Sequence, residues 1–255
     1  MSSRSAVARA AAASVLFASF IAIPLTASAQ GSGRGFLFGQ PNGSFTLSGG
    51  IAQPTANSDI YSFVHDNLTL GKRDFLGPTF GANLDVRIAP RFALQFNTGF
   101  YQRSIDSEVR AYTDNSNNPI AQNTRLTRVP LMIGLRYDLT PSGRALGNLA
   151  WVPSRITPYI AAGAGGMWYR FKQEGDFIDF QSSNLAVVPL RLESTGWAGA
   201  AYGALGADIS VSPVVSIRTE ARYDEAKGTL GRDFSGFNRI DLSGFNATVG
   251  LSFRY

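Results

Sequence analysis

The chain has no cysteine. This excludes disulfide staples, thiolate metal sites and a cysteine nucleophile together. It has one histidine, His65, so no site that needs two imidazoles can form. Lysine is scarce: Lys72, Lys172 and Lys227 are the only three among 23 cations. The arginines are scattered rather than clustered, so the basic stripe of a nucleic-acid binder is missing and no nucleic-acid partner is expected. Charged residues make up only 16% of the 255 positions. Beyond residue 29 no 18-residue apolar run occurs, which excludes membrane-spanning helices there. What the chain does have is a 44% hydrophobic fraction, 27 glycines and 18 phenylalanines. That hydrophobic fraction is too high for a disordered chain, and the length fits one barrel-sized domain or two small ones.

Residues 1–29 read as an export signal. Arg4 and Arg9 give a positive start, Ala10–Leu25 is apolar, and Thr26-Ala27-Ser28-Ala29 supplies small residues at an A-x-A cleavage site. Cleavage after Ala29 leaves a mature net charge of +3. Residues 30–42 are then a periplasmic lead, and 43–255 the folded domain.

The mature chain alternates with period two. Phe245, Ala247, Val249, Leu251, Phe253 and Tyr255 share one face, opposed by Asn246, Thr248, Gly250, Ser252 and Arg254. Seven earlier segments behave alike, around Phe45–Ile51, Phe80–Ile88, Phe92–Phe100, Val129–Tyr137, Tyr159–Phe171, Trp197–Val211 and Val215–Tyr223. Eight such segments predict an all-β, antiparallel transmembrane barrel with eight strands. Ala89-Pro90-Arg91 and Ser212-Pro213 are tight turns, whereas the connections after segments one, three, five and seven are long and polar. Short turns alternating with long loops fit an outer-membrane barrel. The connection Thr140–Arg155 is too long for a short turn, and it keeps a ten-strand count open.

A soluble sandwich or barrel would alternate as well. Aromatics near strand ends (Tyr137, Tyr159, Tyr169, Phe171, Trp197, Tyr223, Phe253 and Tyr255) favour the membrane, because interfacial girdles lie there. Arg218 or Arg222 turned toward lipid would cost about 2–4 kcal/mol each at the midplane, so the charged face points inward.

The C-terminal run Thr248-Val249-Gly250-Leu251-Ser252-Phe253-Arg254-Tyr255 resembles the insertion signal of bacterial outer-membrane β-barrels. Thr248 is the polar position, Gly250 follows two on, and Leu251, Phe253 and the aromatic Tyr255 complete the alternation. The exported start, eight segments and final tyrosine together resemble the small OmpA/OmpX-type barrels over residues 43–255. Val129-Pro130-Leu131 and Thr157–Gly165 resemble strand openings of the broad outer membrane protein β-barrel group. The resemblance implies residence among outer-membrane lipids, escort by periplasmic chaperones and recognition by the barrel assembly machinery. The sequence stops at the last strand, so a following peptidoglycan-binding domain is not expected.

Candidate chemistry lies in the inward charges. Asp85, Arg87, Arg128, Arg136, Asp208, Arg218, Glu220 and Arg222 form the expected lumen network, with Arg103, Asp138 and Arg254 also inward. An eight-strand interior is barely wide enough for side chains, so these charges must pair. Glu220, flanked by Arg218 and Arg222, is the expected centre. The network reads as a plug, or alternatively as a gate in a narrow pore or carrier. A second alternative is a lipid-modifying enzyme, with His65 in the first long loop and Asp106-Ser107 in the second. Against it, Arg103, Arg128 and Arg170 would make the upper lumen too charged for an acyl chain. Thr113–Pro119 is a polar loop whose spacing matches no calcium loop. Leu185–Leu192, within the Lys172–Glu193 connection, could prolong a strand and offer an edge to an extracellular partner. No catalytic residue, cofactor or metal is expected, and the leading reading is a structural or surface-interaction barrel.

Overall fold

The computed structural model describes residues 35–113, 117–147, 150–178 and 187–255. The expected export signal and residues 30–34 of the lead lie outside the described residues.

The alternating segments form β2 (Gly43–Pro54), β3 (Gly77–Ala89), β4 (Phe92–Thr113), β5 (Pro119–Asp138), β8 (Ile156–Ile178), β9 (Val187–Ser210), β10 (Val215–Gly228) and β12 (Gly244–Arg254). Each pairs antiparallel with the next, and β12 returns to β2, closing a ring of eight. Closure leaves the ring without an unpaired edge through its lower half. The connection that left ten strands open is a hairpin, β6 (Gly143–Leu146) with β7 (Ala150–Pro153). It pairs with β1 (Leu37–Phe38), not with the ring, so it adds nothing to the strand count.

Alternation sets the two faces. Phe80, Leu205, Val249 and Phe245 point outward, 58–65% exposed, with Leu47, Ile51, Ile133 and Leu251 among their neighbours. Thr46, Gln95, Asn97, Arg136, Thr157, Asp208, Arg218 and Ser252 point inward and are buried. A fold with hydrocarbon outside and polar groups inside is built for lipid. Three of the expected girdle aromatics, Tyr159, Tyr169 and Phe171, turn inward instead, at 0–1% exposure. They sit one residue out of phase with Ile160, Trp168 and Trp197, which hold the outer face. Both chain ends of the ring and its short turns lie at one end, where the Asn42 N–H donates to the Tyr255 carbonyl at 2.7 Å. This is the periplasmic end, by the convention of outer-membrane barrels.

The wall is uneven. β4, β5, β8 and β9 run 20–24 residues, but β2, β3, β10 and β12 only 11–14. Much of what the sequence presents as polar loop after segments three and five is therefore strand. Above the membrane neither face is consistently apolar, so the period-two signal fades there. The connections from the short strands fold back over the open side. The first carries helix α1 (Asp59–Asn67) and the 3-10 turn Lys72–Phe75; the last carries the 3-10 turn Arg232–Phe234 and β11 (Ile240–Asp241), which pairs with β10. Ile60, Tyr61, Val64, Leu68, Leu70, Phe75, Phe234, Ile240 and Leu242 pack there against Ile105, Leu126 and Phe171 of the tall wall. Tyr61 stands edge-on to Phe75 and Phe171, at 5.3 and 5.9 Å between ring centroids.

Candidate functional site: the closed lumen

The floor of the lumen is an ionic lattice. Arg218 Nε and Asp208 Oδ1 lie 2.7 Å apart, and Arg218 Nη2 lies 2.7 Å from Asp85 Oδ2. Arg136 Nη2 meets the other Asp208 oxygen at 2.7 Å, its Nη1 meets Asp85 at 3.4 Å, and its Nε meets Asp138 at 2.8 Å. Two arginines thus share two aspartates contributed from β3, β5, β9 and β10. Gln95 and Ser44 donate to the remaining lone pairs of Asp85, at 2.9 and 3.0 Å. Such pairing is what makes buried charge tolerable, because each ion loses several kcal/mol of hydration; Arg218 Nη1 is left without a hydrogen-bond partner. The Arg136 guanidinium also lies over the Tyr159 ring, 3.9 Å from its centroid, a cation–π contact strengthened by the dry setting.

One level up the contents change to polar aromatics. Tyr202 donates to Gln95 at 3.0 Å and accepts from Asn97 at 2.9 Å. Its ring carries Arg222, whose carbon lies 3.9 Å from the centroid. Arg222 pairs with Asp224 at 2.7 Å, and Asn246 donates to the second Asp224 oxygen at 2.7 Å. Room for Tyr202 comes from Gly134 and Gly163, where any side chain would collide with its ring.

Higher still, Arg128 marks the boundary with the apolar cap. It is 3% exposed, donates to the Leu242 carbonyl at 2.7 Å and lies 4.6 Å from the Tyr101 ring centroid. Among the described residues it has no carboxylate within 4 Å. Above it Tyr61 is wholly buried with its hydroxyl unpartnered, and burial holds that phenol far above its ordinary pKa.

The structure redistributes the expected network. Asp85, Arg136, Asp208 and Arg218 meet; Arg87, Arg128, Glu220 and Arg222 do not join them. Arg87 sits at the periplasmic rim, near Asn42 Oδ1 at 3.5 Å. Glu220 is not the centre: it accepts from Tyr159 at 2.7 Å and forms no ion pair among the described residues. Its neighbours two residues away project along the same strand face and reach past it. The centre lies between strands, and one sequence does not state cross-strand pairing. Tyr159, Tyr202, Gln95 and Asn97 belong to the site without carrying a charge that marks them in the sequence, although alternation puts Gln95 and Asn97 on the inner face.

The periplasmic mouth is closed by the β6–β7 hairpin. Trp151 is 2% exposed, and Arg254 lies 5.9 Å from its ring centroid while donating to Ser210 at 2.8 Å. A partly open pocket of about 70 Å³ remains at this end, bordered by Asp85, Arg136, Asp208 and Trp151 and by Gln40, Arg87 and Arg91 of the rim. That is room for water molecules rather than a solute.

The residues weighed for catalysis form no hydrogen bond with one another among the described residues. His65 is on α1 with Nδ1 2.9 Å from the Leu70 carbonyl oxygen. Ser107 donates to the Gln122 carbonyl at 3.3 Å, and Asp106 accepts from Asn123 at 2.6 Å. Arg103 and Arg170 do not line the upper lumen: Arg103 donates to the Asp74 carbonyl at 3.0 Å, and Arg170 pairs with Glu193 at 2.8 Å on the outer side. The upper interior is filled largely by apolar cap side chains, with Arg128, Gln122, Thr124 and Asp241 also buried. Val187–Leu192 does prolong β9, whereas Leu185, Ala186 and residues 114–116 of the polar loop lie outside the described residues. Among the described residues no group of three His, Cys, Asp or Glu side chains gathers as a metal site.

A closed, lipid-facing barrel with a filled lumen defines the class: a bacterial outer-membrane β-barrel. The chain belongs to the outer membrane protein beta-barrel domain family, whose model matches residues 13–253. Comparison with curated protein sequences gives no match. Among solved structures it is similar to the N-terminal β-barrel domain of Pseudomonas aeruginosa OprF, at 12% identity and TM-score 0.34, covering 85% of this chain and 100% of that one. It is also similar to Ail, the attachment invasion locus protein of Yersinia pestis, solved with the heparin analogue sucrose octasulfate (14% identity, TM-score 0.39, 84% and 99% covered). A third similarity is to the outer membrane protease OmpT from Escherichia coli (12%, TM-score 0.40, 85% and 98%). None of the three carries a role over to this chain.

Proposed function

We propose that this protein is a non-enzymatic structural and surface-presenting barrel of the outer membrane, with a lumen that does not conduct. One observation carries the reading: the interior is occupied from end to end. Trp151 and Arg254 cover the periplasmic mouth, the Arg136–Asp208–Arg218–Asp85 lattice fills the floor, Tyr202 and Arg222 the middle, and the apolar cap the top. A channel needs charges facing water and a carrier needs an empty apolar path; here each charge has a protein partner and the apolar chamber is full. The tall wall of β4, β5, β8 and β9 supplies the surface to present. The C-terminal residues Thr248, Gly250, Leu251, Phe253 and Tyr255 are the proposed handle for the assembly machinery, with Leu251, Phe253 and Tyr255 exposed on the outer face.

The test is single-channel recording of the folded barrel in planar bilayers, wild type beside Glu220→Gln, with folding shown by heat-modifiable mobility. The expected result is no steady conductance from either protein. Steady steps whose selectivity shifts in Glu220→Gln would overturn the proposal in favour of a water path past Tyr159.

A further inference from the structure

On the outer face of the barrel, at the head of β2 and β12, lies an open recess of about 450 Å³. Its lower border belongs to the lipid-facing band. Phe245 is 65% exposed and Leu76 44%, and below Phe245 the outward side of β12 continues through Ala247, Val249 and Leu251. Its upper border is polar. At Gln53 the outward side of β2 changes from hydrocarbon to amide, and Gln53 Nε2 donates to the Lys72 carbonyl at 2.8 Å. This bond ties the 3-10 turn to the wall and sets Lys72 and Arg73 side by side at the membrane boundary.

These two cations lack counter-charges. Lys72 Nζ reaches only the neutral Asn57 Oδ1, at 3.3 Å. Neither has a carboxylate within 4 Å among the described residues, and the Asp74 carboxylate accepts from the Gly71 N–H at 2.7 Å. Several other cations of the rim are matched, Arg170 and Arg191 by Glu193, Lys172 by Glu174 and Lys227 by Glu225, whereas Arg110 and Arg125 donate to the neutral Leu68 carbonyl and Ser104 hydroxyl. A pair of unneutralised cations above an uncovered hydrocarbon wall complements one ligand class. That class is a lipid with a phosphate headgroup above and acyl chains below.

We propose that this recess binds a phosphorylated, acylated lipid of the outer leaflet, with its phosphate between Lys72 and Arg73 and an acyl chain along Phe245 and Leu76. Ammonium and guanidinium both favour phosphate oxygens, the guanidinium in a bidentate manner. The site lies outside the lumen and is independent of whether the lumen conducts.

The test is native mass spectrometry of the folded full barrel released from detergent micelles, with hexa-acyl lipid A, its dephosphorylated form and inorganic phosphate as separate probes. Lipid A is expected to bind the wild type at least tenfold more tightly than the dephosphorylated lipid, with the preference weakening in salt. The double variant Lys72→Gln/Arg73→Gln should lose that preference while keeping heat-modifiable mobility. Phe245→Ala should weaken lipid binding without abolishing the phosphate preference. Equal binding of both lipids by the wild type, or an unchanged preference in the double variant, would overturn the proposal. Inorganic phosphate binding as tightly as lipid A would also overturn it, making the recess a soluble-anion site.

Discussion

Below Tyr202 the interior of the barrel is closed by charge, and above Arg128 it is closed by hydrocarbon. The lower half is ringed by all eight strands, so alternate residues of the wall itself meet across a narrow space and no loop is needed to fill it. The upper half is ringed by only four tall strands, so the space must be filled from elsewhere. The two long connections bring α1, Phe75, Phe234 and Leu242 to do it. The lower half is therefore part of the barrel's own cooperative unit. The cap is an added layer, held by apolar burial and a few anchors such as the bond from Arg128 to the Leu242 carbonyl. Local opening is expected in the cap long before the ring gives way.

The sharpest test of this division is Asp208→Asn. Asp208 holds both Arg136 and Arg218, so the change leaves two buried guanidinium groups sharing Asp85 and Asp138. Removing one member of a buried ionic set costs about 3–5 kcal/mol. The urea midpoint of the whole barrel, read by tryptophan fluorescence and gel mobility together, should fall by a corresponding amount. If only cap-sensitive signals moved and the ring kept its midpoint, the lattice would not be the structural centre described here.

Phe234→Ala is the converse test. Phe234 is 3% exposed and stacks edge-on against Phe171 at 5.3 Å between centroids. Truncating such a ring costs about 3 kcal/mol, but the loss should fall on the cap alone. Trypsin cleavage at Arg232 and Arg239 is expected to accelerate markedly, while heat-modifiable mobility and the urea midpoint of the ring stay close to wild type. A lowered ring midpoint would join the two halves into one cooperative unit.

The two halves also differ in how legible they are in the sequence. In the membrane the chemical contrast between lipid and lumen is large, so Phe45, Leu47 and Ile51 against Ser44, Thr46 and Ser48 already state strand, face and parity. Above the membrane the contrast disappears: Ser104, Asp106 and Glu108 on the outer side of β4 alternate with Ile105 and Ser107 on the inner, and the stretch reads as loop. The cap helix did leave a signal. Ile60, Tyr61, Val64 and Leu68 recur at helical spacing behind Ser58-Asp59, a short signal set between two much longer alternating segments. The lumen residues were legible as inward charges, because lipid forbids the other choice. Their pairing was not. Whether Asp208 or Glu220 sits between the arginines depends on the register and tilt of strands far apart in the chain, which periodicity does not carry.

A smaller effect tests the junction between the tall wall and the cap. Glu193 on β9 accepts from Arg170 and Arg191, and its backbone N–H donates to Asp233 of the cap turn at 2.9 Å. The hydrogen bond from Arg170, the largest effect, outweighs the opposing effect of burial and, with the smaller contribution of Arg191, holds the Glu193 carboxyl below its ordinary value of 4.5. A group depressed on folding stabilises the folded state above its unfolded pKa, and the contribution fades as pH falls through the folded value. The pair is partly exposed and screened, so its worth is about 0.5 kcal/mol. Glu193→Gln should therefore raise the rate of tryptic cap cleavage by roughly twofold near neutral pH. Under acid, with an acid-tolerant protease as the probe, the variant and the wild type should converge as Glu193 itself becomes neutral. A difference that persisted or grew at low pH would assign the effect of the substitution to packing of the side chain rather than to its charge.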